Sequence, residues 1–549
     1  MVTPRPARRT DKGSFRWFAA LRLAFLAILA ALSAVLPGAS AQGAPASDHV
    51  VVVVFDGMRP DFVRPQYCPN LYSLATNGVF FRRNHCAYIS TTVVNGTVLA
   101  TGTHPRQNGI LANSDFREEL NSETSVASEV LDTVRRADRI SGGKYVAVDT
   151  VAELIQAAGH YTYLAGTKSV TLLHDRFRRR DDTEAHRKSV TLGRGLSLPR
   201  GATDPMVTAN EGRAFPSTDT TPNIAADTWT TKALIHGLWT NGVPKYSLLW
   251  LSDPDKTQHA RGVGAPESLA AIEASDKNLG EVIKVLDRAG IRDKTDVLVV
   301  SDHGFSSVPR GGDVPGALRR AGLNAQSRLE NPEPGDVVVV EFGGSALIYV
   351  IDRREDVIRT AATVLQGCDF TGVIFSRIEL EGTFPLSTVN YPTNGHGPDL
   401  VVAMRWTDDA NEFGAPGQML ATSGTRGTGA HGSLSRFEMN NTLVAAGPSF
   451  KRGFVSNTPS GNIDVAPTIL HVLGINRPDW MDGRVLREAL AGQGGPAPEV
   501  RERKLEASRE IGFLRWNQYL RILEVEGVSY FSEGNGSLRL RAPDVVESK

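Results

Sequence analysis

Five short stretches of this 549-residue chain carry side chains suited to holding a metal ion and transferring a phosphoryl group. Asp56 ends an apolar run, Asp302 and His303 stand side by side at the end of another, and His431 lies in the glycine-rich stretch Gly427-Thr-Gly-Ala-His-Gly432. Asp255 and His259 are four residues apart, a spacing that a chain of this size shows roughly once by chance. Thr92 sits in Ser90-Thr-Thr-Val-Val-Asn95-Gly96. Each motif alone is weak. As a set they offer the imidazole nitrogens and carboxylate oxygens that a borderline divalent ion such as Zn²⁺ accepts. A threonine hydroxyl on such an ion is acidified enough to attack phosphorus without a dedicated base, and two dications roughly 4 Å apart clamp the entering and leaving oxygens of an in-line displacement.

Two further residues are candidates for gripping phosphate. Asn95, three residues after Thr92, is expected on the first turn of a helix with its amide toward the nucleophile, donating to a non-bridging oxygen. Asn95-Gly-Thr97 also reads as a glycosylation sequon, but a glycan there would block the phosphate pocket. Lys168, in Gly166-Thr-Lys-Ser169, follows a predicted strand; no second basic residue accompanies it, since Val170 and Thr171 come next. Phe55, Phe116, Tyr88 or residues of the 168–245 insertion are candidates for an aromatic or apolar slot that would take a nucleoside leaving group.

The elements that must position these groups are legible as apolar runs. His49-Val-Val-Val-Val-Val-Phe55 is followed by Asp56, Tyr246-Ser-Leu-Leu-Trp-Leu251 by Ser252-Asp-Pro-Asp255, and Asp296-Val-Leu-Val-Val300 by Ser301-Asp302. Such runs fit buried parallel strands, each delivering an acid at its C-terminal end, where open α/β sheets place ligands. Thr150-Val-Ala-Glu153 reads as a capping box opening a helix through Ala158, before a strand at 161–165. Leu279, Val282, Ile283 and Leu286 recur at helical spacing, ending at Gly290. The alternation of strand and helix predicts a mostly parallel sheet flanked by helices. Residues 168–245 break the pattern and read as an insertion over the active face; its basic cluster at 176–180 has the form of a solvated surface. From about residue 491 onward there are many charges and few strand signals, which reads as an appended C-terminal segment packing on the back.

Composition bounds the class. The chain is 41% hydrophobic and 22% charged, a globular profile, with 60 basic and 60 acidic side chains. That neutrality comes from two unlike parts. Residues 1–41 hold six basic residues and one acid, then a 14-residue apolar run and the small-x-small site Ala39-Ser-Ala41. This is the pattern of a signal peptide cleaved after Ala41, so a secreted or periplasmic protein is expected, with no membrane-spanning segment in the mature chain; an uncleaved N-terminal anchor is the alternative, given the apolar Trp17–Leu21 stretch ahead of Arg22. The remainder carries a net charge of −5, which does not suit a protein that wraps nucleic acid. Cys68, Cys86 and Cys368 are too few for a disulfide framework and read as buried fillers, with a Cys68 to Cys86 bridge the alternative.

The ordered set Asp56-Gly, Thr92-Val-Val-Asn95, Ala100-Thr-Gly102, His104-Pro, Asn108-Gly-Ile110, Asp255-x-x-x-His259, Asp302-His303-Gly304 and His431-Gly432 resembles the alkaline phosphatase superfamily, and within it the type I phosphodiesterase/nucleotide pyrophosphatase family. The resemblance spans about 50–486 and implies one catalytic domain, at 48–490, with an alkaline-phosphatase-like α/β sandwich. It also implies two zinc ions or similar divalent metals: one on Asp255, His259 and His431, the other on Asp56, Asp302, His303 and the Thr92 oxygen. His396, in Asn394-Gly-His-Gly397, competes with His431 for the last position; His431 is preferred because Gly447-Pro448-Ser-Phe450 follows it as in the family. The expected function is hydrolysis of phosphodiester or pyrophosphate bonds in a small phosphoester or nucleotide through a phosphothreonine intermediate. A phosphomonoesterase or phosphonate hydrolase on the same core is the alternative enzyme, and a non-catalytic phospho-ligand-binding protein the alternative of another class. The Cys/Ser-x-Pro-x-Arg context of sulfatases is missing around Thr92.

Overall fold

The valine run at 50–54 is buried on both faces and forms the middle of a nine-stranded sheet. A computed structural model describes residues 1–3, 47–175, 183–422, 424–493 and 495–541. The chain divides into 1–44, of which the first three residues are described, and 45–549, the body treated below. The signal-peptide pattern and the basic cluster at 176–180 lie outside the described residues.

The strand His49–Phe55 pairs in parallel with Thr295–Val300 on one side and Tyr246–Leu251 on the other. Thr162–Gly166 and Val190–Gly193 continue the parallel set outward. Beyond Thr295–Val300 lies Leu443–Ala446, which runs antiparallel. Register is tight at the centre: Val54 stands opposite Val300, and Phe55 opposite Leu251. The three acid-bearing strand ends therefore open at one edge of the sheet as immediate neighbours.

Alternation along the first strand divides the core. Val50, Val52 and Val54 pack with residues of the helices Val151–Ala157 and Val465–Val472, while Val51, Val53 and Phe55 pack with Pro69–Asn77, Ile224–Lys232 and Pro266–Arg288. This is a helix–sheet–helix sandwich. The capping box at Thr150 forms as its sequence requires, with the Thr150 hydroxyl accepting from Glu153 N–H. Among the described residues no helix is long and apolar enough to cross a membrane. The three cysteines are free, Cys68 and Cys86 buried and Cys368 partly so.

Two segments differ from their sequence pattern. Part of the 168–245 stretch extends the main sheet, because Val190–Gly193 pairs with Thr162–Gly166 and turns back as Leu196–Leu198. Past residue 491, the stretch with few strand signals holds three long antiparallel strands, Val500–Ile511, Leu514–Val525 and Val528–Leu540. Their outward residues are charged, which masks the strand pattern, but Trp516, Gln518, Leu520 and Ile522 alternate inward and are buried. Leu523, Val525, Val528 and Tyr530 pack against Val94 and Val98 of the helix that begins at Thr92.

Candidate active site

At the acid-bearing edge of the sheet, seven side chains from five chain segments converge. Asp56 and Asp302 follow neighbouring strands; Asp255 and His259 lie four apart on the helix Asp255–Arg261, one turn that aligns both toward the same point. His431 follows the short strand Gly429–Ala430, and Thr92 is the first residue of the helix Thr92–Thr101. Gly57 makes the close approach feasible: its φ is +70°, and a Cβ there would come within 2.9 Å of the Asp255 Cβ. The Gly57 N–H donates to Asp302 Oδ1 at 3.0 Å.

The donor atoms have metal-ligand geometry. His259 Nε2 and His431 Nε2 are 3.1 Å apart, and each is 3.3 Å from Asp255 Oδ1. Ligands about 2.0–2.1 Å from a tetrahedral zinc ion are separated by roughly 3.3 Å. Around His303 Nε2 stand Asp302 Oδ2 at 3.2 Å, Thr92 Oγ1 at 3.3 Å and Asp56 Oδ1 at 3.8 Å. In each of two overlapping triads, Asp255–His303–His431 and Asp56–Asp302–His303, the donor atoms lie within 4.8 Å of one another. Asp56 Oδ1, Asp255 Oδ1 and Asp302 Oδ2 are buried without a hydrogen-bond partner, so three orphan lone pairs face this space. The residues present fit the binding of divalent cations.

Outer contacts fix the imidazoles. Nδ1 of His259, His303 and His431 lies 3.1, 2.9 and 2.7 Å from the carbonyls of Gly429, Gly304 and Ser90, so each ring donates there and turns its Nε2 lone pair inward. Burial holds His303 at about 3 and His431 at about 4, which keeps both neutral and able to ligate. Burial, then repulsion from Asp302, pushes the Asp56 carboxyl well above the usual range, and burial lifts Asp302 to about 6. A cation held by Asp56 and Asp302 would remove that cost. Burial would also raise Asp255, yet Lys168 and then His259 hold it well below the carboxylate range.

Lys168 is a member of the site. Its Nζ lies 2.6 Å from Asp255 Oδ2 and 2.9 Å from Asp56 Oδ2, joining the two carboxylate sets. Asn95 is not placed as expected. Its amide is fully buried and consumed by the preceding loop: Oδ1 accepts from Ala87 N–H at 2.7 Å, and Nδ2 donates to the carbonyls of Ala87, Ile89 and Thr91. The buried Asn95 is also closed to glycosylation. His396 is apart from the cluster, lining a second cavity with Arg117, Tyr349 and Arg353. Phe55 and Tyr88 are core residues at 0% and 1% exposure, and Phe116 packs on Tyr349, so none of the three forms a slot beside Thr92.

A cavity of about 530 Å³ opens over Thr92, Asp255 and His259. It adds residues without a sequence signal. Asn113 accepts from Val93 N–H at 2.9 Å through Oδ1, which leaves its amide N–H groups for a ligand in the cavity. Glu129, Arg194, Thr218 and Asn223 line the same space, and no aromatic residue does among those described.

The sequence profile of the type I phosphodiesterase / nucleotide pyrophosphatase family matches residues 50–401. Venom phosphodiesterase 2 of Crotalus adamanteus is 20% identical over 261 residues, 47% of this chain and 27% of that protein. The match thus spans about a quarter of the length of this venom relative. The bis(5′-adenosyl)-triphosphatase of Bos taurus is 20% identical over 457 residues, 82% of this chain and 83% of its own length. Among solved structures, murine ectonucleotide pyrophosphatase/phosphodiesterase 5 superposes with a TM-score of 0.53 at 21% identity, covering 81% of this chain and 100% of that one. An inactive variant of the same murine protein, solved in complex with AMP, superposes equally well.

Proposed function

Because this chain belongs to the type I phosphodiesterase / nucleotide pyrophosphatase family, we propose that it is an exported, zinc-dependent hydrolase of phosphodiester or pyrophosphate bonds that works through a phosphothreonine intermediate. The observation that carries this reading is the donor cluster around Thr92, with His303 Nε2 3.3 Å from the threonine oxygen and three orphan carboxylate oxygens aimed inward. Asp255, His259 and His431 would hold one ion; Asp56, Asp302, His303 and Thr92 Oγ1 the other. When bound, the ions would supply Lewis-acid activation of the threonine hydroxyl and of water, and neutralise the leaving oxygen.

This chain's own groups do the rest. Thr92 Oγ1 bonds to phosphorus as the bond to the leaving oxygen breaks; water then cleaves the threonine ester and restores the hydroxyl. Asn113 donates its amide N–H to a non-bridging oxygen, the role expected of Asn95. Lys168 sets an ammonium beside the phosphoryl group. The AMP complex of the murine neighbour supports a nucleotide-sized ligand. Export follows from the signal-peptide pattern, and N-terminal sequencing of the mature protein is expected to begin at Gln42.

Two measurements test the reading. With added zinc, bis(p-nitrophenyl) phosphate should be turned over in preference to p-nitrophenyl phosphate; a strong preference for the monoester overturns the diester assignment. Thr92→Ala should abolish turnover while elemental analysis still finds two metals per chain, and unchanged activity would sink the nucleophile.

A further inference from the structure

The mouth of the cavity carries an arginine held in an unusual way. Val190–Gly193 and Leu196–Leu198 pair with Gly193 opposite Leu196, so Arg194 and Gly195 alone form the hairpin loop. Their φ values are +48° and +78°, the two left-handed residues of a type I′ turn, where asparagine and glycine are at home. Gly195 is needed there, because a Cβ would come within 2.8 Å of the Phe215 ring. Arginine at the first position gains nothing from the turn itself. A non-glycine residue kept in the left-handed region points to a use for its side chain.

The turn sets that residue on the lining of the cavity over Thr92. Arg194 N–H donates to the carbonyl of Gly166 at 2.9 Å, tying the loop to the strand end that presents Lys168 two residues later. The Arg194 side chain lines the cavity that contains Thr92 and Asp255. Among the described residues it donates a 3.3 Å hydrogen bond to Thr218 Oγ1 and forms no ion pair with a carboxylate. Lys168 differs, since its charge is already engaged by Asp56 and Asp255. The same cavity is lined by the hydroxyl and amide side chains of Ser169, Thr218, Thr221 and Asn223 and by a further ammonium, Lys256. Glu129 is the carboxylate lining the same cavity; burial raises it, and the charges of Lys168 and then Arg194 pull it back down. Among the described residues a flat apolar group finds no Phe, Tyr or Trp ring to stack on here, whereas a phosphate finds a guanidinium outside any ion pair, able to bind it through two parallel N–H groups.

We propose that Arg194 forms a second anion subsite at the cavity mouth and makes the enzyme favour substrates in which a further phosphate adjoins the scissile phosphoryl group. The inference rests on the hydrolase reading above and narrows its substrate class to phosphoanhydrides over diesters with an uncharged second group. Thymidine diphosphate and the p-nitrophenyl ester of thymidine 5′-monophosphate are matched probes, sharing nucleoside and reacting phosphate and differing in the neighbouring group. Arg194→Asn, a residue suited to the left-handed turn, should lower kcat/KM for the diphosphate about tenfold, chiefly through KM, and leave the nitrophenyl ester within about twofold. Arg194→Lys should recover part of the loss. Equal losses on both probes, or none on the diphosphate, overturn the subsite while the ester's turnover leaves the hydrolase reading standing. Wild-type protein that cleaves neither probe overturns both.

Discussion

Asn95 and Asn113 both follow Thr92 in sequence and serve different ends. Asn95 holds the loop before the nucleophile's helix through Ala87, Ile89 and Thr91, whereas Asn113 is tethered at its oxygen and open at its nitrogen. Asn95→Ala leaves the buried N–H and C=O of Ala87 unpaired and should cost about 3 kcal/mol of stability, read as a lowered denaturation midpoint. Asn113→Ala should leave that midpoint in place and reduce kcat/KM by roughly a hundredfold. The contrast shows which residues a sequence discloses. Asp56, Asp255 and Asp302 are visible because each follows a buried apolar run, and the pairings Asp255/His259 and Asp302/His303 add spacing. Asn113 and Arg194 have no such marker, since what brings them to the cavity is a single N–H bond in one case and a two-residue turn in the other.

At the scale of elements, the three-stranded C-terminal sheet supports the site from behind. It buries Leu523, Val525 and Tyr530 against the helix that starts at Thr92, and the Gln518 amide takes up both the N–H and the C=O of Ile374, at 2.8 and 3.2 Å. Tyr530 donates to Asp464 at 2.8 Å, and Trp516 to the Gly382 carbonyl at 3.0 Å. A chain ending at Gln493 should therefore be insoluble or lack a cooperative unfolding transition; a soluble truncated enzyme with unaltered kcat would show that the sheet does not position Thr92. The milder Gln518→Leu should cost about 2 kcal/mol by stranding two backbone groups. The central strands were readable because both their faces are apolar. The C-terminal ones were not, because one face is charged and the alternation shows only once the buried face is known.

For the molecule as a whole, buried imidazoles set the response to acid. His174 is buried, has neither ring nitrogen hydrogen-bonded, packs edge-on against Trp250, and is held by burial at about 3. Below its unfolded value near 6.5 the unfolded chain binds a proton that the folded one refuses. The folded state is thus fully favoured above pH 6.5 and loses that share as pH falls toward 3. In metal-free protein, His174→Phe should gain on wild type in melting temperature as pH drops from 7 to 5; parallel curves would show that His174 is not charged on unfolding. Metals act in the opposite sense to acid, binding the folded form alone, so removal by chelation should lower the melting temperature by an amount that zinc restores as its concentration rises.

Trp250 joins these two behaviours. Its indole N–H donates to Asp56 Oδ2 at 2.7 Å, on the carboxylate that would ligate an ion through its other oxygen, and its ring meets His174 on the far side. The side chain is fully buried, so its emission answers to that carboxylate rather than to solvent. Loading of the site is therefore written into the protein's own fluorescence: a zinc titration of the apoprotein should shift the spectrum, and Trp250→Phe should remove the signal, giving an optical count of filled sites that needs no substrate.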